Sequence, residues 1–162
     1  MGKTLAEFSD VSADVPDWTR EAKGFFEWNP GKSLVATLRA YQRAPKILRP
    51  WHVLRHRIWS AISGADIPLN CQIAGGFLIP HPNGIVIHPA SQIGPNCLLF
   101  QQVTLAGTVV LEGHVDAGAG AKLLGPLTVG RHCEIGANAV VTRDVPAGSV
   151  AMGIPARVFA RR

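Results

Sequence analysis

"IVIHPASQIGPNCLLFQQVTLAG" (85–107) decides the fold. Aliphatic residues return every six positions: Ile87, Ile93, Leu99, Leu105. Four residues after each of the first three stands a small or aliphatic partner: Ser91, Cys97, Val103. The same frame extends without a shift from Leu69 to Val145. Its first slot holds Leu, Ile or Val except at Gly75, His81 and Ala117, and glycine crowds the second slot at Gly76, Gly94, Gly118, Gly130 and Gly136. A period of six is neither a helix face nor the two-residue alternation of a half-buried strand. It is the signature of a parallel β-helix, in which each short wall buries one large and one small residue. Three walls close one coil, so a coil takes 18 residues. The hexads suffice for about four coils of ~4.8 Å each, a prism about 20 Å tall. An antiparallel sandwich would instead alternate, with turns every 8–12 residues or so.

The front of the chain has a different period. Residues 1–15 read as a mobile N-terminus and residues 16–64 as a helical segment. Asp17 suits an N-cap, with Glu21 in the turn that follows. Leu34, Leu38 and Tyr41 share one face of a helix that Ser33 could cap, and Trp51, Leu54, Ile58 and Ile62 share one face of another. Pro50 suits that helix's start and Gly64 its stop. The β-helix is then assigned to 65–146 and a C-terminal tail to 147–162, giving a mainly β fold.

Composition narrows the function. With 162 residues, 47% of them hydrophobic, one domain with a true core is expected. No apolar run spans a bilayer, and the polar, acidic start lacks the apolar stretch of a secretory signal. Ala6 stands where myristoylation after Gly2 needs Ser or Thr. A cytoplasmic location is expected. Cys71, Cys97 and Cys133 have no paired spacing, so neither zinc nor a disulfide framework is expected. Cys97 and Cys133 fall in small interior slots and read as core. A net charge of +5 fits a nucleic acid, an acidic lipid, a phosphorylated ligand or simply a solvated surface.

His81 is the anomaly. It occupies a first slot, where an aliphatic side chain is expected, between Pro80 and Pro82. A histidine in the core is costly unless hydrogen-bonded, whereas prolines belong at edges and corners. A bulged wall would turn the imidazole outward, where it could take a proton near neutral pH. His88 falls in an outward slot and reads as a surface histidine.

Six segments, "GADIP" (64–68), "HPNGIVIHPASQIGPNC" (81–97), "QQVTLAG" (101–107), "GAGAKLLGPLTVG" (118–130), "IGANAVV" (135–141) and "GIPARV" (153–158), resemble the hexapeptide-repeat acyltransferases, the serine acetyltransferases most of all. The resemblance implies a left-handed parallel β-helix and a homotrimer with active sites in the clefts between prisms. It implies acetyl-CoA as acyl donor and a small-molecule acceptor carrying a hydroxyl, with direct transfer and no acyl-enzyme. His81 is implied as the general base and Asp66 as the carboxylate that orients it. Gly107, Ala119, Gly120, Ala121 and Lys122 are implied along the acetyl-CoA arm, and Arg157, with Arg161 and Arg162, toward the nucleotide phosphates. No nucleic-acid partner is implied.

The chain also departs from that family. "VTLAG" runs straight into "TVVLEGHVDAGAGAK", with no inserted loop and no Arg-His pair for an amino-acid acceptor. The hexad frame puts His114 on a coil face. Pro80 replaces the acidic residue before the base, and the short front end weakens any case for a dimer of trimers. Alternatives are therefore O-acetylation of a sugar in a surface polysaccharide, or a scaffold without turnover. A further alternative is membrane-surface contact through Trp51, Trp59, Arg55 and Arg57.

Overall fold

The computed structural model describes residues 11–161 and is mainly β, a parallel β-solenoid of about four turns with two helices near its start. One wall stacks Gln72–Ile73, Gln92–Ile93, Val109–Leu111 and Leu127–Val129. A second stacks Val86–Ile87, Thr104–Ala106, Lys122–Leu124 and Val140–Val141. The third stacks Leu98–Leu99, Asp116–Ala117, Glu134–Ile135 and Ser149–Met152, and Arg157–Ala160 folds back antiparallel on its last strand. The segment assigned to a tail therefore completes a wall.

Both interior slots of the hexad are filled as the period requires. Leu99, Leu105, Leu111 and Leu123 fill large slots on the three walls, fully buried, and Cys97, Val103, Val109, Val115 and Ala121 fill the small ones. Cys71, Cys97 and Cys133 are free and buried, and burial pushes the Cys97 thiol up to about 12. They pack as small hydrophobes.

The frame is not unbroken. The middle coils keep a step of 18, pairing Val86 with Thr104 and Thr104 with Lys122. The first coil takes 20, pairing Gln72 with Gln92 and bridging Leu78 to Leu98. The last takes 16, bridging Val129 to Val145 and pairing Glu134 with Val150. Two residues are inserted after Ile79 and two are removed before Val145. The large slots of the coil below the insertion are accordingly Ile67, Ile73 and Ile79, all buried. Leu69 is only half-buried, and His81 lies outside. A column of aliphatics tolerates such a change at a corner, where the chain can bulge without uncoupling the walls. Corners are also where non-glycine residues take the left-handed conformation, as at Gln102 (φ 60°) and Asn138 (φ 56°).

An open prism end would expose its interior, and repeat folds need caps. Helix α1 (Pro30–Arg43) provides one, laying Leu34, Val35 and Leu38 over Ile67, Ile73 and Phe77. Its N-cap is Asn29, which accepts from Lys32 N–H at 3.0 Å, rather than Ser33, which lies buried inside the helix. Asp17 caps a short 3-10 turn (Trp18–Glu21) as expected. Glu21 then joins this turn to cap and coil, pairing with Arg39 at 2.8 Å and accepting from Phe77 N–H at 3.1 Å. Helix α2 (Arg49–Ser63) follows and stops at left-handed Gly64, whose N–H reaches Ser60 O at 2.8 Å.

Of the expected mobile segment, residues 1–10 lie outside the described residues, and residues 11–15 are held on the coil. Buried Asn96 donates to the carbonyls of Ser12 (2.7 Å) and Val15 (2.9 Å) and accepts from Asp17 N–H (2.8 Å). Ala13 is buried.

Candidate active site

The two-residue insertion after Ile79 makes the turn "PHPNG" (80–84). Pro80 and His81 are exposed and Pro82 is buried. The turn closes by Ile85 N–H donating to Pro82 O at 3.1 Å. Gly84 N–H reaches down to Gly64 O (2.8 Å), and Asn83 O accepts from Gln102 N–H above (2.9 Å). Gly84 has φ 72°, a conformation that favours glycine. The turn is thus fixed on both sides by neighbouring coils, and the prolines leave His81 no strand partner to join. Its ring stands outside the column, on the edge that leads into the second wall.

Asp66 starts that wall. It bridges Val86 in parallel, its N–H donating to Ile85 O at 2.8 Å and its carbonyl accepting from Ile87 N–H at 3.0 Å. The exposed Asp66 side chain borders a groove of about 560 Å³ under α2, with Val53, His56, Arg57 and Ser60. Among the described residues no ion pair joins Asp66 to His81. Asp66 instead lies beside buried His56, whose Nδ1 stands 3.4 Å from Thr37 Oγ1. Burial holds the His56 pKa below the ordinary histidine range, against the opposing pull of a hydrogen bond from its ring to the Ile67 backbone and of the Asp66 charge.

The residues expected along acetyl-CoA separate into three places. The register puts residues 100–102, 118–120 and 136–138 above the His81 turn on one edge. Ala119 and Gly120 therefore stand on the edge of His81, two coils higher, or about 10 Å. A Cβ on Gly120 (φ 74°) would run into the Asn138 side chain. Ala121 is sealed in the interior column and is corrected from groove to core, as its small slot dictates. Gly107 (φ 76°) turns the next edge, its carbonyl accepting from Ser91 Oγ at 3.1 Å.

Backbone donors near the edge are largely committed. Gly118 N–H goes to Ile135 O, Gly120 N–H to Gln101 O and Lys122 N–H to Ala139 O. Lys122 Nζ is held by Gln102 O and by Thr104 Oγ1 (3.1 Å). Arg157 is exposed and follows Ala156, whose N–H bonds Val140 O at 2.8 Å, so it emerges above the same edge. Arg161 is engaged with Glu134 at 2.7 Å, and Arg162 lies outside the described residues.

His88 is exposed and accepts from Ala90 N–H at 3.2 Å through Nδ1. His114 is buried at a corner (φ 45°), not on a flat face as the hexad frame implied. Its Nδ1 meets that of His132 at 2.7 Å. Desolvation, then the neighbouring His132, lowers the His114 pKa to about 4. Neither this pair nor His56 was singled out from sequence. The 18-residue spacing of His114 and His132 was the available signal, since equal slots on successive coils stack. Only Gly107 and Thr108 separate the strands Thr104–Ala106 and Val109–Leu111, so no loop protrudes there.

A hexad-filled parallel solenoid with a histidine raised onto an edge of small residues places the chain in the hexapeptide-repeat class of acyltransferases. No protein-family model matches the chain. It is 36% identical to a serine acetyltransferase of Bacillus subtilis, over 89% of this chain and 72% of that protein. The chain belongs to the serine acetyltransferase family. A serine acetyltransferase of Synechococcus elongatus is 38% identical, over 74% of this chain and 51% of that one. A solved serine acetyltransferase in complex with cysteine aligns over 82% of this chain and 59% of its own, with a TM-score of 0.71 at 30% identity. One in complex with CoA aligns over 79% of this chain and 54% of its own, with a TM-score of 0.68 at 32% identity. The chain spans about half the length of the Synechococcus relative and 63% of one from Helicobacter pylori.

Proposed function

We propose that this chain transfers acetyl from acetyl-CoA directly to a hydroxyl, with serine as the favoured acceptor and His81 as the general base. The observation that carries this is the outward imidazole of His81, on the edge that also bears Ala119 and Gly120, in a chain of this family. Neutral His81 takes the hydroxyl proton as the acceptor oxygen attacks the thioester carbonyl. The tetrahedral intermediate collapses by breaking the C–S bond, and the imidazolium returns the proton to the departing CoA sulfur. Direct transfer suits the burial of all three cysteines, which leaves no exposed thiolate to carry an acyl group. Asp66 is proposed to orient His81 and stabilise its charged form.

Small Ala119 and Gly120 are proposed to admit the pantetheine arm, with Lys122, Arg157 and Gly107 around it. Arg157 makes no ion pair among the described residues and suits phosphate, while Lys122 must exchange its contacts to Gln102 and Thr104. The solved relatives in complex with cysteine and with CoA support a small amino-acid acceptor and this donor. A homotrimer, with each His81 edge facing a neighbouring prism, and a cytoplasmic location belong to the same proposal.

The direct Gly107–Thr108 link favours a second reading, in which the hydroxyl belongs to a sugar and no amino-acid clamp is needed. Thiol release from acetyl-CoA, measured with L-serine beside a panel of sugars, tests both. Serine-dependent release supports the first and sugar-dependent release the second. Equal background with every acceptor supports a scaffold and sinks both.

A further inference from the structure

Helix α2 is amphipathic the wrong way round for a helix docked on a core. Its packed side buries His56 and Ser63, with Ser60 half-buried beside them. Its opposite side presents Trp51 (59% exposed), Leu54 (50%), Ile58 (49%) and Ile62 (47%). At 100° per residue these four fall within one stripe, with Arg55 on one flank and Arg57 on the other. The patch continues beyond the helix. Ile47 is 86% exposed on the turn before it, and exposed Trp28 lies tilted at 6.0 Å against Trp59, which is half-buried on the core. Phe25 and Phe26, on the same loop as Trp28, are almost bare.

Charge selects the occupant. Glu27 on the loop pairs with Lys32, and Glu21 with Arg39, while Arg43, Lys46, Arg49, Arg55 and Arg57 make no ion pair among the described residues. Two copies meeting symmetrically through this stripe would bring Arg55 and Arg57 against their own kind. An anionic bilayer surface matches both features, since aromatic and aliphatic side chains enter the headgroup boundary while flanking arginines meet phosphates. The helix has 15 residues, and among the described residues no helix is long and apolar enough to cross a membrane, so contact would be in the plane. We propose that the Trp51–Ile62 stripe, with the adjacent Phe25–Trp28 loop, docks this protein on an anionic membrane surface. This stands apart from acetyl transfer and does not depend on it.

Flotation of the full chain with vesicles tests it. The probes are vesicles of equal parts phosphatidylglycerol and phosphatidylcholine, and vesicles of phosphatidylcholine alone. The wild type is expected to float with the anionic vesicles and to be released by salt. Trp51→Gln with Ile58→Gln is expected to lower partitioning about tenfold or more, with circular dichroism and oligomeric state unchanged. Arg55→Gln with Arg57→Gln is expected to lose the preference for anionic vesicles, a second readout that leaves the apolar stripe intact. Absence of flotation, equal flotation with both vesicles, or full binding by the Trp51/Ile58 variant would overturn the proposal. Dissociation of an oligomer in that variant would also overturn it, assigning the stripe to a subunit contact.

Discussion

The middle coils and the first turn use the same hexad to opposite ends. From Ile85 to Val141 every interior slot is filled and the register never leaves 18 residues. Between Ile79 and Ile87 two extra residues open the wall, and a titratable ring takes the outside. The regular region stabilises through burial, while the widened turn contributes little burial and presents chemistry. An irregularity tied by backbone hydrogen bonds to the coils on either side is a place where an inserted side chain can be held without disturbing the column.

Substitution should separate these regions. Leu105→Ala, in the fully buried column, should cost about 3 kcal/mol in urea unfolding. His81→Ala, at an exposed turn position, should change stability by less than about 0.5 kcal/mol. Similar losses at both sites would erase the distinction between a packing region and a presenting one.

A smaller effect concerns the regular coils themselves, which also bury polar corners. His114 titrates at about 4 when folded, against 6.5 ordinarily, because burial and then His132 oppose its charge. The unfolded chain therefore takes up the proton first. The stability that neutral His114 contributes is present above pH 6.5 and is lost as pH falls toward 4. His56 shifts in the same direction. Unfolding midpoints measured across this window should fall more steeply for the wild type than for His114→Asn, a residue that tolerates the left-handed corner. Parallel slopes would remove His114 from the acid response.

The architecture was legible because burial repeats. Leu99, Leu105, Leu111 and Leu123 announce their interior slots by spacing alone. The slips were not, because Gly75 and His81 stand as isolated exceptions in an otherwise continuous frame, while the Gln72–Gln92 and Leu78–Leu98 pairings enforce a step of 20. His81 was identifiable as an anomaly on a bulged wall, and the structure makes that bulge a two-residue insertion. Ala121 was misread because a small residue serves a groove and an interior slot equally well. Asn29 was missed as a cap beside the equally eligible Ser33. The nearness of Asp66 to His56 in the groove under α2 was not legible, since it joins a wall to a helix that no repeat connects. The stripe on α2 was read as one face, but periodicity does not say whether that face points inward.

The most direct test of the central claim is acetyl transfer by His81→Ala, with acetyl-CoA binding measured on the same preparation. The account predicts a loss of about 10²–10⁴-fold in kcat with acetyl-CoA affinity retained. Turnover equal to the wild type would contradict it, leaving the widened turn without its base.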